Sequence, residues 1–312
     1  MTNKLAIIVP VYNEEEALEI SSGKLLDIIK KLIAKNKISS ESYIVFVNDG
    51  SKDKSLNIIK DLAKKHKEIK GIALSKNFGH QGALLCGLLE SEADVYISID
   101  ADLQDDTAKI EEMIDLYSAG NHIVFGVRKK RTTDTFFKKH TAVLYYNLLK
   151  FLGVDIIPNH ADYRLMSNLA VDKLKLFKER NLFLRGIITR IGLKSSTVYY
   201  DRLAREQGET KYTLHKMLAL AFNGIFAFST IPLRFIAFFA AVFIIFSLVI
   251  FIYILFSYLE NNIIKGWTSL IASIYFVGGL ILLSLAIIAE YIARIYTETK
   301  ARPLYIIEEK FE

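Results

Sequence analysis

ISIDADLQD, residues 97–105, begins as an apolar, strand-like run and ends abruptly in Asp100 and Asp102, one residue apart. Successive side chains of an extended chain alternate between faces, so this spacing predicts two carboxylates aimed the same way, with Ala101 turned elsewhere. Two such carboxylates suit a hard divalent cation, and a hard cation suits a diphosphate. Similar short apolar runs, expected as strands, lie upstream and just downstream at Leu5–Val11, Tyr43–Val47, Ile69–Leu74, Val95–Ile99 and Ile123–Gly126. Between them, Glu14–Lys35, Lys54–Lys65, Gln81–Glu90 and Thr107–Ala119 place apolar residues three or four apart, as helices do. Crossovers of that length favour parallel pairing and predict a doubly wound, mostly parallel α/β sheet. Such sheets bind ligands beyond the carboxyl ends of their strands, where Tyr12, Asp49, Lys76 and Asp100 all fall.

The remainder of the 312-residue chain is of another character, and it carries most of the excess apolar content in a 52% hydrophobic composition. Phe235–Leu259 has 25 residues without a charge and Gly266–Ala289 has 24, each longer than the roughly 20 that a membrane-spanning helix needs. Two spans are therefore expected, over 232–259 and 266–293. The connector Glu260–Lys265 has one basic residue, whereas Lys211, Lys216 and Arg234 precede the first run and Arg294, Lys300 and Arg302 follow the second. That asymmetry predicts that both ends face the cytoplasm. The run from Leu5 is interrupted by Pro10 and then by Glu14, Glu15 and Glu16, so it does not read as an export signal.

Cys86 is the single cysteine, which excludes an intramolecular disulfide and a cysteine-rich metal site. The net charge of +6 gathers near the apolar runs, pointing to anionic head groups or phosphates and not to nucleic acid. Phe136–Leu152 and Leu214–Phe228 carry apolar stripes broken by Lys138, Lys139, His215 and Lys216; they read as interfacial helices or as helices packed on the sheet. The expected organisation is a globular domain over 1–210, an interfacial helix over 211–231, the two spans, and a cytoplasmic tail over 294–312.

Three further stretches bear on chemistry. In IIVPVYNEEE, residues 7–16, Pro10 ends a strand and Glu14 opens a helix. In VNDGSKDKS, residues 47–55, Asp49 ends a second strand with a carboxylate able to accept hydrogen bonds from a nucleoside, and Gly50 permits the turn that follows. LSKNFGHQGA, residues 74–83, has Gly79 and Gly82 ahead of a helix; phosphate-cradling amides and a tight turn with close helix packing explain them equally well. His80 is assigned no role.

Taken in order, VPVYNEE, FVNDGSKDKS, LSKNFGHQGA, IDADLQD, FGVRKKR, ADYRLMS and REQGETKYTL resemble the motifs of family 2 glycosyltransferases of GT-A fold. Over nearly the whole chain the sequence is similar to dolichol-phosphate mannose synthases and bacterial polyprenyl-phosphate glycosyltransferases. The resemblance implies nucleotide binding by Pro10, Tyr12, Glu14, Asp49, Lys76, Asp100 and Ala101. It further implies Mg2+ or Mn2+ held by Asp100, Asp102 and Gln104, and contacts from Arg128, Lys138 or Lys139, and Arg205 to the phosphate of a lipid acceptor. KKHT, residues 138–141, departs from the arginine that family members often place before a Ser or Thr. Asp162 and Arg164 of ADYRLMS fall at the family's catalytic loop, which implies sugar contacts for both, while the resemblance gives direct roles in the reaction to Asp162, Asp102 and Arg128. Asp162 is then either a base or a group that orients the sugar. A lipid monophosphate, with its second pKa near about 6, is already largely an oxyanion at neutral pH and has little use for a base.

The implied activity is inverting transfer of one hexose, glucose first, from a UDP-sugar to undecaprenyl or another polyprenyl phosphate at the cytoplasmic membrane face. Mannose, galactose and N-acetylglucosamine remain open as donor sugars. A processive polysaccharide synthase would share the donor site but usually brings a Gln-rich acceptor motif and more spans. A catalytically silent scaffold would be expected to have lost some of Asp100, Asp102 and Gln104. The family further implies membrane lipids, a flippase and an outward-facing transferase as partners in glycosylating the cell surface, and homo-oligomers, tetramers among them.

Overall fold

In the computed structural model, the residues described are 2–129, 160–179, 183–201 and 266–312, with scattered helical positions between 233 and 252. The first of two compact units, comprising 1–147, 155–213 and 302–312, contains the sheet and its helices. Numbered over the described residues, its elements are β1 (Leu5–Val11), α1 (Glu15–Ala34), β2 (Tyr43–Asn48), α2 (Ser55–Lys65), β3 (Ile69–Leu74), α3 (His80–Glu90), β4 (Val95–Ser98), α4 (Lys109–Ser118) and β5 (Ile123–Arg128). They are followed by β6 (His160–Ser167), α5 (Asn168–Leu174), α6 (Leu184–Arg190), β7 (Ser195–Tyr200) and β8 (Ile307–Phe311). Every residue of β1, β2 and β4 is buried, as continuous apolar runs must be when helices cover both faces of a parallel sheet. The helices turn their apolar stripes inward, with Leu18, Leu25, Ile29 and Leu32 of α1 and Ile110, Met113 and Ile114 of α4 in or against the core.

The eight strands lie in the order β7-β5-β6-β4-β1-β2-β3-β8. Parallel pairing, as expected in general, joins the strands β4-β1-β2-β3, but "mostly parallel" needs correcting to mixed. Strand β6 runs antiparallel between β4 and β5, and β8 runs antiparallel to β3. ADYRLMS, expected as a loop, is the body of β6, and every residue of that strand is buried. Its Asp and Arg obscure the strand pattern because the two charges are buried as partners instead of facing water.

The stretch expected as the tail, 294–312, carries structure of its own. Residues 294–299 continue the preceding helix, and residues 307–311 form an edge strand of the sheet. Lys310 and Tyr305 both reach Glu90 at the end of α3, and Lys70 pairs with Glu312. Exposed ion pairs of this kind add little stability. The closer fit is at Gly71, where an added Cβ would lie 1.9 Å from the Phe311 ring. Gly71→Ala should therefore destabilise the domain by about 1–3 kcal/mol through overpacking. Thermal unfolding and faster proteolytic trimming of the C-terminus would register it.

The second unit, comprising 148–154 and 214–301, contains α7 (Trp267–Thr299). Its segment Phe276–Thr299 has 24 residues and contains an 18-residue window with a mean hydropathy of 2.2. By length and composition it can cross a membrane, and it is the one such helix among the described residues. The expected first span over 232–259 and the interfacial helix over 211–231 lie wholly or largely outside the described residues, as do Lys138, Lys139 and Arg205.

Candidate active site

The candidate site is built on the carboxyl ends of β1, β2 and β4. The turns after β1 and β2 are stitched to each other. Asn13, at φ 54°, accepts from the Lys52 amide at 2.8 Å, and Ser51 Oγ accepts from the Asn13 amide at 3.1 Å. Ser55 Oγ accepts from the Glu14 amide at 3.0 Å, while Glu15 accepts from Lys54 N at 2.9 Å. The two stretches flagged as nucleotide-binding are thus one structural platform. Pro10 is buried within β1, Tyr12 stands 42% exposed just beyond it, and Glu14 is half-buried. Lys76 is exposed, with Nζ 5.2 Å from the centre of the Phe78 ring.

Asp49, the residue expected to accept hydrogen bonds from a nucleoside, lies at the end of the β2 run. It is buried, and its two oxygens accept from the backbone amides of Phe78 (2.6 Å) and Gly79 (2.9 Å). Burial nonetheless pushes its pKa up, more than those amides and His80 pull it down. Asp49 thereby fixes the loop leading into α3. Gly79 adopts φ +88°, which frees the chain to begin α3 at His80.

The Asp100/Asp102 geometry needs a further correction. The segment is not extended past Asp100 but turns, with the Leu103 amide donating to Asp100 O at 3.2 Å and Leu103 at φ 43°. Asp102 closes the turn by accepting from Gln104 N at 3.2 Å. Ala101 and Gln104 are buried, and the Asp100 side chain keeps 38% of its surface exposed. Burial of its surroundings, together with the carboxylates of Asp162, Asp105 and Asp102, raises the pKa of Asp100 against the opposing pull of His80. Anions crowded in this way favour a cation among them.

The residues present therefore fit a divalent ion of the Mg2+ type. Such ions are commonly held by one or two carboxylates plus substrate phosphates and water, not by a full protein cage. In keeping with that, the described residues include no group of three or more His, Cys, Asp or Glu placed to hold a metal alone.

Asp162, on β6, is held by two guanidiniums. Arg185 of α6 reaches it through Nε to Oδ1 at 3.2 Å and Nη2 to Oδ2 at 2.9 Å, and the buried Arg164 donates to Oδ1 from within β6. Burial alone would raise its pKa, but the two guanidiniums hold it well below the usual carboxylate range. A carboxylate with so little proton affinity makes a poor base. Arg164 itself is depressed by burial. His80 Nε2 lies 3.5 Å from Asp100 Oδ1 and 3.6 Å from Asp162 Oδ2. The residue left without a role stands between the two carboxylates.

Arg128, at the end of β5, is gripped by Asp105: Nη2 donates to Oδ1 at 2.9 Å and Nε at 3.2 Å. The hydroxyl of Tyr200 donates to the same oxygen at 2.6 Å. Burial works against the Arg128 charge, but Asp105 and Tyr200 outweigh it and raise the pKa. Asp105, Arg185, Gln81 and Tyr200 were all missed from sequence. Asp105 stood in the opening stretch and Gln81 beside His80, so both were findable; Arg185 and Tyr200 lie in segments with no motif of their own.

This sheet, with its acidic turn after β4, defines a GT-A-like α/β fold. A mannosyltransferase from Pyrobaculum calidifontis, solved with GDP-mannose and Mn2+, shares that fold at a TM-score of 0.50 and 17% identity, covering 73% of this chain and 64% of that one. The model of the family "Glycosyl transferase family 2" matches residues 6–174, and the chain belongs to that family and is a glycosyltransferase. The uncharacterized glycosyltransferase YkoT of Bacillus subtilis is 46% identical over 97% of this chain and 91% of its own length. The prophage bactoprenol glucosyl transferase homolog of Escherichia coli is 39% identical over 98% of each.

Proposed function

We propose that the chain transfers a single hexose, glucose first, from a UDP-sugar to a polyprenyl phosphate at the cytoplasmic face of a membrane, with inversion at the anomeric carbon. The observation that carries this reading is the clustering of Asp100, His80 and Asp162 at the carboxyl end of the sheet, in a chain alignable end to end with a relative named for bactoprenol glucosyl transfer. The apolar segment Phe276–Thr299 supports it, because an acceptor with a polyprenyl tail stays in the bilayer.

In this reading the stitched turns after β1 and β2 receive the nucleoside, with Tyr12 and Glu14 at its edge and Pro10 shaping the strand end beneath. Lys76, exposed at the end of β3, offers a charge to the diphosphate. Mg2+ or Mn2+ bound by Asp100 and Asp102, with Gln104 close by, would neutralise charge on the departing nucleoside diphosphate. Asp162, kept ionised by its arginines, orients sugar hydroxyls and takes no proton. Arg128, whose fork suits phosphate oxygens, awaits the lipid phosphate from its seat on Asp105, with Lys138, Lys139 and Arg205 as further contacts. A homo-oligomer, and delivery of the product to a flippase and an outward-facing transferase, belong to the same proposal.

The test is direct. Full-length protein in detergent, given UDP-glucose, Mn2+ and undecaprenyl phosphate, should release UDP and form a chloroform-soluble sugar lipid. UDP release that ignores the lipid, or none from glucose, galactose, mannose or N-acetylglucosamine donors, would overturn the assignment.

A further inference from the structure

The start of α3 does two things within two residues. His80 stands between Asp100 and Asp162, and the side-chain carbonyl of Gln81 accepts the amide of Leu184 at 3.0 Å, in the opening turn of α6. The next residue of that helix is Arg185, whose guanidinium meets Asp162 side-on with two bonds. Arg185 is one third exposed, whereas Asp162 is almost wholly enclosed. Held by β6 alone, Asp162 would face Arg164 on one side only.

We propose that Gln81 and Arg185 are positioning residues for Asp162: Gln81 docks α6 so that Arg185 locks the carboxylate in one rotamer, facing the donor's sugar. The link runs back to Asp49, which pins Phe78 and Gly79 and so sets where α3 starts. A carboxylate that only had to balance Arg164 would need no second, two-pronged partner brought in by a separate helix. One that must present its oxygens at a fixed angle does, because misplacement by about 1 Å costs roughly a hundredfold in rate. This inference rests on the sugar-orienting role proposed above for Asp162.

The experiment is a double-mutant cycle on the full-length protein in detergent, read by UDP release and by thermal unfolding. Arg185→Ala should lower kcat about a hundredfold with the KM for UDP-sugar nearly unchanged. Gln81→Ala should lower it about tenfold, the loss of one aligning hydrogen bond. If Gln81 acts through Arg185, the double variant falls no further than Arg185→Ala alone, and the shifts in unfolding temperature are likewise not additive. Arg185→Lys keeps the charge but loses the fork, so its kcat should lie near that of the alanine variant; it also serves if Arg185→Ala does not fold.

Additive losses, full activity in Gln81→Ala or Arg185→Lys, or a rise in KM at unchanged kcat would each overturn the proposal. Should the wild type turn over no UDP-sugar, the reaction assignment fails by itself. The unfolding cycle then still decides the link between α3, α6 and Asp162, with coupling supporting it and additivity overturning it.

Discussion

Asp102→Asn should lower turnover about a thousandfold, and a chelator should abolish it in the wild type, since charge stabilisation by a bound metal is worth several kcal/mol and each 1.4 kcal/mol is tenfold in rate. The substitution is nearly isosteric and keeps an oxygen that can accept from Gln104 N. The turn therefore survives while the charge is lost. Fold and stability should change little, because Asp102 is partly exposed at the surface of the turn. UDP release with and without chelator, alongside thermal unfolding, separates loss of chemistry from loss of structure. Unaltered turnover in the variant, or in the presence of chelator, would remove the metal from the account.

Asp162→Asn should be costly in two ways. The carboxylate is enclosed between Arg164 and Arg185, and neutralising it leaves Arg164, fully buried, without its countercharge. Breaking a buried pair by removing one partner typically costs about 3–5 kcal/mol, so the unfolding temperature should drop clearly. At temperatures where the variant remains folded, kcat should still fall about a hundredfold from misplaced sugar, while UDP binding by calorimetry is retained. The ionised state of Asp162 also fixes its pH behaviour. Its folded pKa is depressed, so its contribution to stability is fully present above the ordinary carboxylate pKa and is lost progressively as pH falls from there through the depressed value. Near-normal turnover in Asp162→Asn would exclude the residue from the site.

The parallel half of the sheet was legible because its strands are mostly buried and read as short, largely apolar runs; β1 and β3 match their expected bounds residue for residue, β3 despite Lys70. Strand β6 was not, because Asp162 and Arg164 break its apolar pattern, and nothing local shows that they are buried against each other and against Arg185 of a later helix. Strand β8 hid in a charged segment, IEEKF, typical of an edge that faces water on one side. At the site, Asp100 and Asp102 were found by residue type and spacing, but the extended geometry assumed for them gives way to a turn once Leu103 takes a positive φ. His80 was passed over because a histidine beside two glycines carries no signal until β4 and β6 bring Asp100 and Asp162 to it. Arg185 needs α6 docked on Gln81 before it meets a carboxylate 23 residues away.

The central claim is that Asp100 and Asp102 hold a divalent ion against the nucleotide's phosphates. Electron paramagnetic resonance of Mn2+ titrated into the protein with UDP present tests it most directly. The account predicts a bound-Mn2+ signal that strengthens with UDP and disappears in the Asp100→Asn, Asp102→Asn double variant. An undiminished signal in that variant, or none in the wild type with UDP bound, would contradict it.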